Sequence, residues 1–531
     1  MIRDKKFAVL PFWIYSTSVL SQSRPWLGAV GLFLAFGLGC MMRFHGTFVD
    51  EGDNLAVGHL LQEGHVLYRT LFSHHFPFPY YWLAAAFALL GPTVESARLS
   101  LLLFQLLAFG LTMYTSRLYL AIGLLAVTWN SVALFSFGNM AIYQSFSAIT
   151  LVPIFVLTFI TIHWQRPLDG KSQLTFALFA TIGLLTNPLL VFPIALSLLF
   201  LFLARRYKEA SAIIAMMSFG GGLYLSYLIL TDSLLDFYNS AILFNSQIYA
   251  QYSSTVNGNY LDVVLGAAAH VLHLFNPEKA MFPIDMLASY DAASQWLLSG
   301  TASKVVLILF SLMLASRKRF LPAAFVYLFA ATLLTRGRTN FDQLALVLVA
   351  ICSLSLLAAG IGSASDGEVQ QKRAVWGQWV AGGLLVWMVG CGLYYPIAYP
   401  ERMTYEANFG YYESWGDRIV TRSCGQADRL GVYPGNPYLY FFADIQPISK
   451  YPFMWPWVAD IGLGEEVKGL KTQQMAIVYF DSAGSVWGKP NTEFLQPLST
   501  YLAQHYIPVG EDLYLSPALH QSCQALSAQE P

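Results

Sequence analysis

Charge is scarce in this chain. Only 11% of its 531 residues are Asp, Glu, Lys or Arg, where a soluble domain carries about a quarter. With 56% hydrophobic residues and a mean hydropathy of +0.50, the scarcity argues against a soluble enzyme and for a membrane protein with many spans. The formal net charge is −1, so no electrostatic case exists for a nucleic-acid partner. Cysteine is also scarce, with 5 in all, too few for a disulfide scaffold. Cys40, Cys352 and Cys391 lie in apolar stretches, where a thiol packs as a small hydrophobe. Cys424 and Cys523 lie in the polar C-terminal region and are able to pair if that region is outside the cytoplasm.

Several chemical signatures are missing. There is no GxxxxGK[ST] phosphate loop, no HExxH and no CxxC, which removes most of the case for ATP-driven transport and zinc hydrolysis. The glycines of "FGGGLY" (219–224) sit inside an apolar run, where glycine serves close helix packing. The N-terminal "MIRDKKFAVLPFWIYSTSVLSQSRPW" has a basic start but neither a long apolar segment nor a small-residue cleavage site. It reads as a cytoplasmic, interfacial leader.

Long apolar runs are plentiful. A span needs about 20 apolar residues, and candidates occupy 25–43, 78–92, 99–116, 118–136, 145–163, 173–203, 209–230, 304–316, 319–335, 341–360 and 375–398. Residues 304–316 are short for a crossing, so Trp296 to Ser303 are expected to extend that helix, with Lys304 facing a polar interior. Residues 173–203 are long for one helix and broken at Asn187-Pro188, as a kinked helix or a tight hairpin would be. The count expected is about 11–13 spans. Basic clusters mark the cytoplasmic side: Arg3/Lys5/Lys6, Arg205/Arg206/Lys208, Arg317/Lys318/Arg319 and Lys372/Arg373. Loop 44–77, loop 231–300 and the tail beyond 398 then lie outside. In the tail, polar helices alternate with short apolar runs such as "MAIVYF" (475–480), the pattern of a small α/β domain. The expected fold is an all-α polytopic membrane domain, 1–398, followed by an extracytoplasmic α/β domain, 399–531.

The candidate chemistry begins directly after the first apolar run, in "FVDEGDNLAVGHLLQEGHVLYRTLFSHHFPFPYYW" (48–82). A carboxylate beside apolar walls gains a raised pKa or a proton-abstracting position. An acidic pair such as Asp50-Glu51 also simply marks where a helix leaves the bilayer. His65, His74 and His75 are potential metal ligands, but adjacent rings chelate one ion poorly. Hydrogen bonding or substrate contact is therefore the reading for His74 and His75. No cofactor is expected, a divalent metal being the one candidate. Tyr80, Tyr81 and Trp82 suit an interfacial aromatic belt, though an aromatic face also fits the C–H face of a sugar ring. His270 and His273, in "AAAHVLHLFNPEK", read as packing at the membrane surface.

These motifs, in their order, resemble the C-type (GT-C) glycosyltransferases that use polyprenyl- or dolichyl-phosphate sugars. The branch resembled contains the protein O-mannosyltransferases, the aminoarabinose transferases and the rhizobial lipopolysaccharide core transferases. In that branch an acidic motif follows the first span, then a glycine-tyrosine element and a proline-aromatic element. Here these are Asp50-Glu51, "EGHVLYRTLF" (63–72) and "HHFPFPYYW" (74–82). "ESARL" (95–99) is similar to the short loop before the family's third span, and "YLYFFADIQPISKYPFMWPW" (438–457) to an outer-domain segment of bacterial members. Two departures stand out. "LLTNPLL" (184–190) has Asn187 where the family often carries Lys or Arg. "TRGRTNFDQLALVL" (335–348) keeps Arg336, Arg338 and Asp342 but has Leu in place of a His.

The resemblance implies an inverting single displacement on the extracytoplasmic side of an inner or plasma membrane. It would move a sugar from a polyprenyl-phosphate donor to a glycan, lipid or protein acceptor of the cell envelope. Asp50 would be the base and Glu51 would orient it or the acceptor. Arg336 and Arg338 would hold the leaving phosphate, as a bidentate guanidinium suits, the other reading being interfacial anchors that snorkel to headgroups. His74, His75, Tyr68 and Tyr80 would contact substrate. The other readings are a transporter or lipid flippase, which would want mid-span charges and inverted repeats, and an O-antigen-ligase-like transferase working through loop 231–300.

Overall fold

The computed structural model describes residues 24–252, 290–333, 344–361 and 368–528. Arg336, Arg338, Asp342, His270 and His273 lie outside the described residues. The chain opens with α1 (Pro25–Met42), α2 (Val49–Gln62), α3 (Phe78–Leu90) and α4 (Val94–Ser116). Next come α5 (Tyr119–Val132), α6 (Tyr143–Trp164), α7 (Gly170–Thr186), α8 (Val191–Leu203) and α9 (Tyr207–Leu230). A π-helical stretch, Tyr238–Tyr249, precedes α10 (Gly300–Ser316), α11 (Phe320–Leu333), α12 (Leu344–Ala358) and α13 (Glu368–Ala398). The tail has helices α14 (Tyr405–Arg422), α15 (Tyr438–Ala443), α16 (Pro456–Thr472), α17 (Gln496–His505) and α18 (Pro517–Ser527). Its strands are β1 (Arg429–Tyr433), β2 (Gln446–Pro447), β3 (Ala476–Phe480), β4 (Ser485–Val486), β5 (Lys489–Pro490), β6 (Ile507–Gly510) and β7 (Leu513–Leu515).

Among the described residues, 6 helices are long and apolar enough to cross a membrane. They are α1, α4, α6, α9, the Tyr119–Ser136 extension of α5 and Val375–Ala398 within α13. Five apolar helices are shorter: Phe78–Leu90, Pro188–Leu203, Gly300–Ser316, Phe320–Leu333 and Leu344–Ala358. The run 173–203 is two helices. Asn187 is extended (φ −149°) and its side chain accepts from the Leu189 N–H at 3.0 Å, opening a 3₁₀ turn at Pro188–Leu190. Proline disfavours helical backbone in the residue before it, which ends α7. One expectation is corrected. Ser299 caps α10 by accepting from the Ala302 N–H at 3.2 Å, and Trp296 belongs to a separate short helix, Ala292–Leu297. Lys304 is buried, as a charge facing the protein interior would be.

The chain forms two compact units. The first comprises residues 1–43, 98–222 and 258–403. At its heart is α6, buried from Tyr143 to His163, as expected of a helix apolar all round. α1 meets α5 through glycines. A Cβ on Gly31 would lie 2.5 Å from the Gly123 Cα, so only glycine allows this backbone approach.

The second unit comprises residues 44–97, 223–257 and 404–531. Its five-stranded mixed sheet has the order β2-β1-β3-β7-β6. β1 is parallel to β2 and β3, while β7 is antiparallel to β3 and β6. Side chains alternate across the sheet. Leu430, Val432 and Ile477 face one core with Leu513, Leu515, Leu519 and Ile419. Tyr433, Val478 and Phe480 face the other, with Met454, Trp457, Leu498 and Leu502. The early segment supplies residues to both: Ala56 of α2 to the first and Phe72 to the second. Cys424, just after α14, and Cys523 of α18 form a disulfide with a Cα–Cα distance of 5.7 Å.

Candidate active site

The acidic pair opens α2, within the second unit. Phe48 is extended (φ −147°), and its carbonyl accepts from the N–H groups of Glu51 at 2.9 Å and Gly52 at 3.3 Å. No side chain caps this end. Asp50 and Glu51 in the first turn set negative charge against the helix's positive end. That alone would explain an exposed acidic pair, but burial goes further. Asp50 is half-buried, and Glu51 is fully buried. The Tyr438 hydroxyl of α15 lies 3.1 Å from Glu51 Oε2 and 3.1 Å from the Phe48 carbonyl. Gly52 makes room for it: a Cβ there would sit 2.7 Å from the Tyr438 ring. Tyr412 stacks on the same ring, with centroids 4.4 Å apart.

One turn along α2 is a residue the sequence reading did not single out. Asp53 is 2% exposed, and its Oδ2 accepts from the Tyr80 hydroxyl at 2.6 Å. Because Tyr80 spends its proton there, Ser73 donates to Tyr80, at 2.7 Å. Ser73 Oγ in turn accepts from the His75 N–H at 3.0 Å. Desolvation pushes the Asp53 acid up to about 7; the Tyr80 hydrogen bond opposes this and the negative charge of Asp50 adds to it.

The loop between α2 and α3 is braced by its own candidate residues. Tyr68 has left-handed backbone (φ 70°), its N–H reaches the Leu71 carbonyl at 2.7 Å, and its hydroxyl donates to the His75 carbonyl at 2.8 Å. Burial holds that phenol well above its ordinary range. His74 is buried, with its ring 4.0 Å from that of His75 and 5.1 Å from that of Tyr249. Its carbonyl accepts from Asn245 at 2.6 Å. The half-buried His65 meets Gln446 at 2.6 Å.

One group of side chains has metal-ligand chemistry. His59 Nε2 lies 2.8 Å from Asp444 and 3.5 Å from Glu63, and the three ligand atoms fall within 4.8 Å of one another. The same geometry is that of a histidine hydrogen-bonded between two carboxylates.

Asp50, Glu51, Tyr68, His74, His75 and Tyr80 thus come together on α2, α3 and the loop joining them, all in one unit. Two residues of this site escaped the sequence reading. Asp53 had a signal, since it lies three residues from Asp50 and positions i and i+3 share a helix face. Tyr438 opens the segment 438–457 noted for its resemblance, but nothing in that segment pointed to Glu51, 387 positions away.

A polytopic helical membrane fold with a small α/β tail is the fold class of the C-type glycosyltransferases, as the motif order implied. Two solved structures of ArnT from Cupriavidus metallidurans share it. The one bound to undecaprenyl phosphate matches with a TM-score of 0.54 and 13% identity, over 93% of this chain and 98% of that one. The apo structure matches with the same TM-score of 0.54 and 13% identity, over 93% of this chain and 97% of that one. At that identity the likeness is one of fold. No protein-family model and no curated protein matches the sequence.

Proposed function

We propose that this chain is a membrane glycosyltransferase that moves a sugar from a polyprenyl-phosphate carrier to an acceptor hydroxyl outside the cytoplasm. The observation that carries this reading is the fold likeness, over 93% of the chain, to an ArnT solved with undecaprenyl phosphate bound. The acidic pair supplies the chemistry. Asp50, half-buried at the start of α2, takes the acceptor's proton. The acceptor oxygen forms its bond to the anomeric carbon as the bond from that carbon to the phosphate oxygen breaks. The bonding pair leaves with the phosphate, and the configuration inverts. Glu51, tied to Tyr438, holds the first turn of α2 in place. The forks of Arg336 and Arg338 balance the charge on the leaving phosphate. His74 and His75 contact the sugar or phosphate, and a lipid-phosphate leaving group requires no nucleotide site.

The test is transfer by the purified full chain in lipid. Undecaprenyl-phosphate-linked pentoses and hexoses serve as donors and envelope glycolipids as acceptors. Asp50→Asn keeps shape and hydrogen bonding while removing the proton acceptor. It should lower turnover by about 10²–10⁴ with donor binding near normal. Near wild-type transfer by Asp50→Asn would remove Asp50 from the mechanism. No transfer by the wild type from any of these donors would remove the reading itself.

A further inference from the structure

Among the described residues three carboxylates are buried: Glu51, Asp53 and Glu466. Glu466 is satisfied at both oxygens, Oε1 by the Tyr433 hydroxyl and Oε2 by the Ser449 hydroxyl. It bolts α16 to β1 and to the segment after β2, a structural role. Asp53 is built differently. Its Oδ2 is the end-point of a directed chain, His75 N–H to Ser73 O–H to Tyr80 O–H to carboxylate. Its Oδ1 is the only buried carboxylate oxygen among the described residues with no hydrogen-bond partner. Leaving a buried acceptor unpaired costs about 1–3 kcal/mol. An oxygen left bare while its twin is anchored is the arrangement of a carboxylate oriented to exchange a proton.

Its neighbour is the proposed base. Asp50 and Asp53 are i and i+3 on α2, with Cβ atoms about 5–6 Å apart at that spacing, and the charge on Asp50 acts on Asp53. From α3, Tyr80 faces Asp53. α15, also packed on α2, sends Tyr438 to Glu51, and Asp444 beyond its end meets His59.

We propose that Asp53 is a positioning residue acting through Asp50: the two carboxyls form one proton-handling pair, and the proton that Asp50 takes from the acceptor hydroxyl passes to Asp53 Oδ1. The inference rests on the reading of Asp50 as base. In this step protonated Asp50 and ionised Asp53 become ionised Asp50 and protonated Asp53, so charge and proton count are unchanged. Asp50 is then free of the proton while the product leaves. Once the product has left, the proton returns from Asp53 through half-buried Asp50 to water, which the neutral-range acidity of Asp53 permits. The same acidity sets the direction of the pH effect. Tyr80 lowers the Asp53 pKa by donating to it, so loss of that hydroxyl raises it.

The experiment uses the purified full chain in lipid nanodiscs and two readouts. The first is an infrared pH titration of carboxyl bands in a Glu466→Gln background, which silences the other carboxyl held near neutrality among the described residues. A band titrating near neutral pH should vanish in Asp53→Asn and move to higher pH in Tyr80→Phe. The second is transfer from undecaprenyl-phosphate-linked pentoses and hexoses. Asp53→Asn should lower kcat by roughly 10- to 100-fold, leave the donor KM unchanged and flatten the acid limb of the kcat–pH profile. Tyr80→Phe should shift that limb upward. A merely structural Asp53 would change yield or melting and leave the limb where it is. Wild-type kcat and pH profile in Asp53→Asn, with Asp50→Asn inactive, would overturn the pair while the transfer reading stands. So would an unmoved limb in Tyr80→Phe, a variant that leaves the carboxylate in place. No transfer by the wild type from any donor would overturn both.

Discussion

A buried carboxylate is an expensive residue, and Glu466 shows how this protein keeps one. Two hydroxyls supply its oxygens, yet desolvation still pushes its acid from 4.5 up to about 7. An acid held above its ordinary range stabilises the fold in its protonated form. That stability is fully present below about pH 4.5 and is lost as the pH rises through about 7. Between those limits the unfolded chain gives up a proton that the folded one keeps. The loss is on the order of 3 kcal/mol for such a shift. Asp53 contributes in the same direction. The purified chain should therefore melt at a lower temperature near pH 8 than near pH 5. Glu466→Gln should narrow that difference in melting followed by tryptophan fluorescence, and an unchanged difference would remove Glu466 as its source.

At the scale of elements, α2 is positioned by what it lacks. Gly52 has no Cβ, and the Tyr438 ring occupies the space that one would fill, at 2.7 Å. Gly52→Ala improves helix propensity by about 1 kcal/mol. It also forces a ring clamped by Tyr412 and Phe409 to move, and overpacking of that kind costs about 1–3 kcal/mol. The steric term wins. The variant should melt lower than wild type and lose turnover, because the Glu51–Tyr438 contact opens. A melting temperature raised by Gly52→Ala would show that propensity governs α2 and that the ring contact is dispensable. The break between α7 and α8 follows the same logic of local chemistry, since Asn187 and Pro188 cannot continue a helix and Asn187 caps the turn that replaces it.

At the scale of the whole molecule, two predictions concern covalent closure and sidedness. The Cys424–Cys523 disulfide closes a loop with a sequence separation of 99, worth about 4–5 kcal/mol in the chain-entropy account. Alkylation of the folded, unreduced chain should spare both thiols, and reduction should lower its melting temperature. Labelling of either cysteine before reduction would show the bond absent in solution. Disulfides persist in oxidising compartments, and an extracytoplasmic tail is also what the basic clusters lead one to expect. A reporter fused after Pro400 should accordingly be active only in a form that requires export. A cytoplasmic signal there would sink an extracytoplasmic mechanism.

The sequence by itself determined the class of fold, because spans and strands are local patterns. Apolar runs marked the helices, Asn187-Pro188 marked the break, and "MAIVYF" marked the strand found at Ala476–Phe480. The two cysteines of the polar tail could be picked out as a pair by elimination of the apolar ones, though only geometry could close the bond. It also picked out Asp50 and Glu51 as an acidic pair following an apolar run. What surrounds them was decided by tertiary structure. Tyr438 meets Glu51 across 387 residues, and no periodicity carries that information. Asp53 read as an ordinary polar residue until α2 folded, burying it beside Tyr80, 27 positions on. Ala56 and Phe72 likewise gained their roles by packing into the tail's two cores. Hydrophobic pattern sets which segments are buried, whereas the partner each buried polar atom finds depends on which distant segments pack against it.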